Sequence, residues 1–444
     1  MGSCFDIVKL SLSTSPACHP LDVHIGDNVN FSRPLLSLLL YCCFSSFLYS
    51  EQPVTESKLY RALTGRSEQT RTRTITAYRR ESTQVRKSLD QLIAAARKNI
   101  SDAESEGNLR SSTSQLLYLL GTVDEPDVET LLIESLASPL TGVAILSADI
   151  LGKYQFHGAI DFLKQQTTRP EYRVMYGFRF NLLRAFSRMQ HPDSVDFLTT
   201  IQPTLDGQLR HQVDEALKSV TVHHFLGDEE RFAKWQARDT ESTKQDDDNI
   251  FKAAGHEPES LSRINFQNQK YYGIDIHARR LMFIIDHSGS MEDYWGGMSR
   301  LGRAKLELIK VIRELPEDSE FAIMFYESTV RVWRDELVYA NEENKLKAIN
   351  FVRRLDYGDR TNTYGALRKS LDFDDDLESV FLLTDGRPTI GTLVDPNKII
   401  NDILGRNRFR HLNFNTIGIA VTASTESFLK RLAEESSGEY RRAL

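Results

Sequence analysis

From residue 280 to the end of the chain, apolar runs alternate with amphipathic stretches: "RLMFIID", a helical pattern over 303–315, "EFAIMFY", "TVRVWRD", helical patterns over 344–354 and 364–371, "SVFLLTD", another over 397–404, "FNTIGIAV" and a last one over 427–435. A strand that is apolar at nearly every position has no polar face to give to water, so it is buried on both sides. Such strands between amphipathic helices predict a doubly wound, Rossmann-like α/β domain with a mostly parallel sheet. Leu308, Ile309, Ile312 and Leu315 share one helical face, as a covering helix requires. "STVRVWRD" alternates instead, which places it at an edge.

The remainder of the 444 residues leaves room for further domains, and a composition of 40% hydrophobic and 26% charged residues is that of a globular protein. The net charge of −7 argues against a nucleic-acid partner, since phosphate binding needs concentrated positive charge. Locally, 58–98 carries eleven Lys and Arg against Glu68, Glu81 and Asp90, which reads as a solvated helical face with an Arg-rich lead-in. Cys4, Cys18, Cys42 and Cys43 are the only cysteines, so nothing downstream forms an internal disulfide, a thiolate metal site or a cysteine nucleophile. The same region holds an apolar run from Leu35 to Tyr49, short for a spanning helix and suited to a signal-peptide core.

Residues 1–50 read as a signal-peptide-like or anchor segment; translation from near Val29 would make "NFSRPLLSLLLYCCFSSFLYS" an export signal cleaved near Ser50 and the protein periplasmic, envelope-associated or secreted. Retained as an anchor, the same segment would allow membrane association. The positive charges that follow it would then favour a cytoplasmic body.

Residues 51–110 are rich in Ser, Thr and Arg and read as a polar linker with one leading helix around 88–99. From 111 to 236 the pattern changes to pairs of helices. The segments "LLYLLGTVDEPDVETLL", "SADILGKYQFHGAIDFL" and "LRAFSRMQHPDSVDFL" superpose on Gly121, Gly152 and Ser187, with apolar restarts at Val128, Ile160 and Val195. A weaker copy aligns at Ser219. Period and pattern resemble HEAT-like repeats, in which one helical hairpin cannot bury its apolar face and neighbours must stack. The acidic stretch 237–265, with Gly255, Pro258 and three consecutive aspartates, reads as a linker to a last domain over 266–444.

In that domain the first apolar strand ends in "DHSGS". Ligands of open α/β sheets bind outside the carboxyl ends of the strands. Asp286, Ser288 and Ser290 leave the sheet there, "SVFLLTDG" delivers Asp385 to the same edge, and "YGDRTNTYG" brings Thr361 and Thr363 toward it. Two carboxylates and several hydroxyls make an all-oxygen site, suited to Mg²⁺, Mn²⁺ or Ca²⁺ and unlike a zinc site. Gly289 permits the tight turn.

DxSxS, the "TNT" loop and "LLTDG", in this order, resemble the von Willebrand factor A (vWA) domain with its metal-ion-dependent adhesion site (MIDAS). The resemblance spans about 273–444, and "SGEYRRAL" matches the closing segment. It implies that Ser288 and Ser290 bind the metal directly, Thr361 directly or through water, and Asp286 and Asp385 from close by through water. It also implies a non-enzymatic protein whose metal keeps a position for an acidic residue of a protein partner. Thr363 is expected to cap the following helix. His287, in a position usually small or aliphatic in that family, is expected to be neutral and packed on backbone. Glu292, Asp293 and Tyr294 are expected in a solvated loop, and Trp333 in packing.

Two other readings compete. A Mg²⁺-dependent phosphohydrolase of the haloacid-dehalogenase type would need DxD, and Ser288 stands at its second aspartate. Neither a phosphate loop, HExxH nor GxSxG occurs. A cytoplasmic vWA partner of an AAA+ ATPase would keep the metal site and change the compartment.

Overall fold

The computed structural model describes residues 57–237 and 269–443. The signal-like segment 1–50 and nearly all of the acidic linker 237–265 lie outside the described residues. The polar lead-in departs from the expectation of a linker with a single helix. It forms four helices: α1 (Lys58–Thr64), α2 (Glu68–Arg79), α3 (Ser82–Lys87) and α4 (Leu89–Glu106). Ser57 and Ser67 cap the first two by accepting from Tyr60 N and Thr70 N. Leu63, Ile75, Val85 and Leu92 are buried against the core of the helices that follow. Buried Arg71 donates to Gly65 O at 2.6 Å and Thr64 O at 3.0 Å, closing the carboxyl end of α1. Few apolar residues per helix hide this packing from a periodicity search.

The next helices are α5 (Ser111–Leu120), α6 (Pro126–Ser135), α7 (Thr141–Lys153), α8 (Ile160–Gln165), α9 (Pro170–Val174), α10 (Tyr176–Arg188), α11 (Pro192–Ile201) and α12 (Gly207–Lys218). Proline at the start of α6 and α11 sits where its missing N–H costs nothing. Val128, Ile160 and Val195 are all buried. Gly152 has a steric role: a Cβ there would stand 2.5 Å from Ala185 Cα, so α7 and α10 approach backbone to backbone.

The sheet domain opens with a short hairpin, β1 (Lys270–Tyr271) and β2 (Ile274–Asp275), followed by β3 (Arg280–Asp286). Then come β4 (Tyr294–Trp295), β5 (Met298–Ser299), α13 (Arg300–Glu314), β6 (Glu320–Tyr326), β7 (Val330–Val332), β8 (Val338–Tyr339) and α14 (Glu342–Arg353). The chain ends with α15 (Thr363–Leu371), β9 (Ser379–Thr384), α16 (Pro396–Arg410), β10 (Asn413–Ile419), α17 (Ala423–Glu435) and β11 (Tyr440–Ala443). The main sheet runs β11-β10-β9-β3-β6-β7, with β8 also pairing β6. Neighbours from β11 to β6 are parallel; β7 and β8 are antiparallel to β6, and β7 is the expected edge strand.

Alternate residues of the strands enter two cores. Phe283, Ile285, Phe321, Ile323, Phe381 and Leu383 pack with α13 and α14, whereas Met282, Ile284, Ala322, Met324, Val380 and Leu382 pack with α15, α16 and α17. This two-sided burial is why the strands read as unbroken apolar runs. The sequence leaves β3 for β6 on one side and returns to β9 on the other, so the crevice beyond β3 and β9 is the topological switch point.

The helical region meets the opposite end of these strands. Gln208 N donates to Glu378 Oε2 at 2.8 Å, Arg280 pairs with Asp206 at 3.0 Å, and Tyr176 N donates to Asp375 O at 3.0 Å. The two regions are therefore in direct contact, beyond the covalent connection that the linker reading supposed.

Candidate metal centre

Asp286 is the last residue of β3 and is fully buried. Its Oδ1 accepts from Ser288 N at 2.9 Å, which bends the chain sharply as it leaves the sheet. Its Oδ2 accepts from Thr384 Oγ1 at 2.6 Å and from Tyr326 OH at 3.4 Å. Burial pushes the Asp286 carboxyl up to about 6, with the charge of Asp385 adding to the rise and the Thr384 and Ser288 hydrogen bonds opposing it.

From this turn a chain of oxygens crosses the crevice. Ser288 Oγ lies 3.4 Å from Ser290 Oγ, and Ser290 Oγ donates to Asp385 Oδ1 at 2.8 Å. Asp286, Ser288, Ser290 and Asp385 are thus brought together. Thr361 is buried and anchored through its backbone: its N–H donates to Thr389 Oγ1 and its carbonyl accepts from Thr389 N, both at 2.9 Å. The Thr361 loop is pinned to the "DHSGS" turn by Gly358 N to His287 O at 2.6 Å and Gly289 N to Asp359 O at 2.9 Å. A Cβ at Gly289 would press on Asp359 O at 3.3 Å, which explains glycine in the turn.

The residues around the site divide the expectations. His287 is buried, its Nδ1 lies 2.8 Å from Asp356 O, its ring faces Phe325, and burial lowers its pKa, so it is neutral and packed on backbone as expected. Glu292, Asp293 and Tyr294 are exposed, and Trp333 stacks on Phe321. The helix cap is a correction. Asn362, not Thr363, caps α15, accepting from Gly365 N at 3.0 Å, while Thr363 is the first helical residue and is buried. The longer amide side chain reaches the third N–H from the turn, where the hydroxyl one residue later is already inside the helix.

Three functional neighbours were missed by reading the sequence. Thr384 and Tyr326 orient Asp286; Arg300 Nη1 donates to Asp385 Oδ2 at 2.6 Å and to Ser290 O at 3.1 Å, and lies 3.2 Å from Asp293. The signal for Arg300 was its place as the first residue of a long helix, where the macrodipole disfavours a cation that has no carboxylate partner.

The donor set fits a hard cation. Oxygens about 2.1 Å from an octahedral Mg²⁺ stand about 3 Å apart; the two serine hydroxyls expected to bind directly lie 3.4 Å apart, close to that spacing, and Asp385 holds Ser290 in place at 2.8 Å. The donors gathered here are two serine hydroxyls and two carboxylates, all oxygen.

Residues 279–442 match the family described as von Willebrand factor type A domain. The chain is similar to human von Willebrand factor A domain-containing protein 3B, 29% identical over 167 residues, covering 37% of this chain and 12% of that protein. It is also similar to mouse inter alpha-trypsin inhibitor, heavy chain 4, 26% identical over 176 residues, covering 37% of this chain and 18% of the relative. The chain thus spans only a small part of the length of these relatives. Among solved structures, von Willebrand factor type A from Catenulispora acidiphila aligns at 20% identity and a TM-score of 0.31, covering 38% of this chain and 39% of that one. BatB from Bacteroides thetaiotaomicron aligns at 14% identity and a TM-score of 0.29, covering 36% of this chain and 88% of that one. Family match, parallel sheet and strand order agree: a helical region precedes a vWA-type α/β domain formed by residues 279–442.

Proposed function

We propose that this protein is a non-enzymatic interaction or adhesion protein whose vWA domain binds a protein partner through a MIDAS. Asp286, Ser288, Ser290, Thr361 and Asp385 would hold Mg²⁺, with Mn²⁺ or Ca²⁺ as substitutes. The observation that carries the reading is the line of oxygens from Ser288 through Ser290 to Asp385 at the switch point, spaced at 3.4 and 2.8 Å. When bound, the cation supplies a coordination position for a carboxylate of the partner.

The chain's own residues prepare that position. Thr384 and Tyr326 fix Asp286, Asp286 holds the turn that aims both serines, and the small number of carboxylates leaves net attraction for an incoming acidic side chain. Similarity to an inter-alpha-trypsin inhibitor heavy chain supports a role in protein binding. Residues 111–236, as HEAT-like repeats, would offer a second binding surface, with 51–110 leading into them and 266–444 as the metal-binding domain. Export through the N-terminal segment belongs to the same reading. Among the described residues no helix is long and apolar enough to cross a membrane.

Calorimetric titration of the full chain with Mg²⁺ tests the reading. Wild type should show saturable binding that Ser288→Ala Ser290→Ala abolishes, and partners captured with the wild type should be released by EDTA. Absence of Mg²⁺ binding, or capture indifferent to EDTA, overturns it.

A further inference from the structure

Away from the metal centre, a cleft of 560 Å³ opens where α5, α7 and α10 meet the end of α16. Its charge is one-sided. α7 contributes Asp149 and Lys153, α10 contributes Arg184 and Arg188, and the end of α16 contributes Arg408 with His411 just beyond it. Spacing of four residues on α7 and on α10 turns each pair to one face. Four cationic side chains therefore line a cleft that has one carboxylate.

That carboxylate is already used. Asp149 Oδ1 accepts from Arg184 Nη2 and Arg188 Nη1, both at 2.6 Å, and Oδ2 accepts from Tyr118 OH. Lys153 and Arg408 have no carboxylate partner among the described residues. The Lys153 ammonium lies over the rings of Tyr118 and Tyr154, and Arg408 covers the Phe409 ring while donating to Ser114 Oγ at 2.8 Å. Two further nitrogens, Arg184 Nε and His411 Nε2, are buried without a hydrogen-bond partner. Burial lowers the pKa of Arg184 and of Arg408, and holds His411 down at about 3, so His411 brings a nitrogen and no charge. Lys153 and Arg408 are exposed and, among the described residues, have no carboxylate to neutralise them, so an anion entering the cleft would gain their attraction without displacing an existing counter-charge.

We propose that this cleft binds a small phosphate-bearing anion. Donors converge from three directions: Lys153 Nζ from α7, Arg184 Nε from α10 and the Arg408 guanidinium from the end of α16. A carboxylate offers two oxygens in one plane, as Asp149 does, and saturates only the guanidinium pair. A tetrahedral phosphate can accept from Arg and Lys on several sides and carries more charge. The volume is that of a small-molecule site. Because Arg408 belongs to the sheet domain and the other donors to the helical region, the bound anion would tie the two together.

The test is calorimetry of the full chain with pyrophosphate and with inorganic phosphate, in EDTA and at ionic strength matched with chloride. Saturable binding of pyrophosphate is expected, retained in Ser288→Ala Ser290→Ala and weakened about tenfold or more by Lys153→Gln and by Arg408→Gln. Neither variant strands a buried carboxylate, and circular dichroism of each should match wild type. Binding no stronger than that of chloride overturns the proposal, and so does equal affinity in folded Lys153→Gln and Arg408→Gln. Loss of binding only in the serine variant would move the anion to the metal centre and overturn it as well.

Discussion

Arg300 places its guanidinium 2.6 Å from Asp385 Oδ2, with the Asp385 side chain fully buried and that of Arg300 only 19% exposed. A fixed positive charge thus sits on the carboxylate that also accepts from Ser290 in the proposed metal site. In that setting a cation and a guanidinium compete for one negative charge.

Arg300→Ala should therefore tighten Mg²⁺ binding by about three- to tenfold, with Arg300→Lys intermediate. Calorimetric titration of the three proteins measures this. Equal affinities would mean that Arg300 only staples the loop.

Removing the two serine hydroxyls and removing Asp286 should separate metal binding from folding. Ser288→Ala Ser290→Ala should lose metal binding with little change in the stability of the metal-free protein. Asp286→Ala should lose metal binding and also about 1–3 kcal/mol, because Thr384 Oγ1 and the buried Ser288 N–H lose their acceptor. Urea denaturation in EDTA reads the difference, and indistinguishable midpoints would contradict it.

The contact between the helical region and the sheet should weaken as pH rises. Glu378 is fully buried at the start of β9, and burial pushes its carboxyl up to about 7 against the pull of Arg280, 2.5 Å away. Its ordinary value is 4.5, so between 4.5 and about 7 the folded state holds more protons than the unfolded chain. Stability must then fall as pH climbs through that window, on the order of 1–3 kcal/mol from this group. Burial raises Asp376 as well, in the same direction. Histidines whose pKa burial lowers, such as His411, push the whole profile the other way below about pH 6.5. The reading is therefore the stability difference between wild type and Glu378→Gln at pH 5, 6, 7 and 8, which should shrink or reverse against the wild type as pH rises. A difference that does not change with pH is the contrary result.

Glycine at 177 is what lets α10 reach the end of α16. A Cβ there would collide with Phe409 O and stand 3.0 Å from Arg410 Cα, both backbone atoms that cannot rotate away. Gly177→Ala should cost about 1–3 kcal/mol and expose the contact to protease. Gly405→Ala, inside α16 with open space around it, should instead stabilise by about 0.5–1 kcal/mol. Thermal melts and limited proteolysis of the pair check both signs.

Strand character, helix character and the residues of the crevice were legible in the sequence because each is written over a few neighbouring positions. "RLMFIID" and "SVFLLTD" are apolar at almost every place because α13 and α14 cover one face and α15, α16 and α17 the other. The turn in "DHSGS" follows from an aspartate that can accept the N–H two residues on and from a glycine that fits under Asp359. The folding of 58–106 was less legible, since Leu63, Ile75 and Val85 are isolated among polar residues and find their core only when the following helices are present.

Tertiary structure decided what no local pattern encodes. Tyr326 and Thr384 come from strands 40 and 98 residues beyond Asp286, and only parallel pairing on both sides of β3 brings them to its carboxylate. Arg300 reaches Asp385 because the loop after Ser290 returns α13 to the crevice, and Gln208 meets Glu378 across 170 residues because α12 packs at the strand starts. Local sequence sets which backbone conformations and which burial patterns are affordable, since those depend on near neighbours. Which charges meet depends on how whole elements close over one another, and that is settled only when the apolar faces find their common cores.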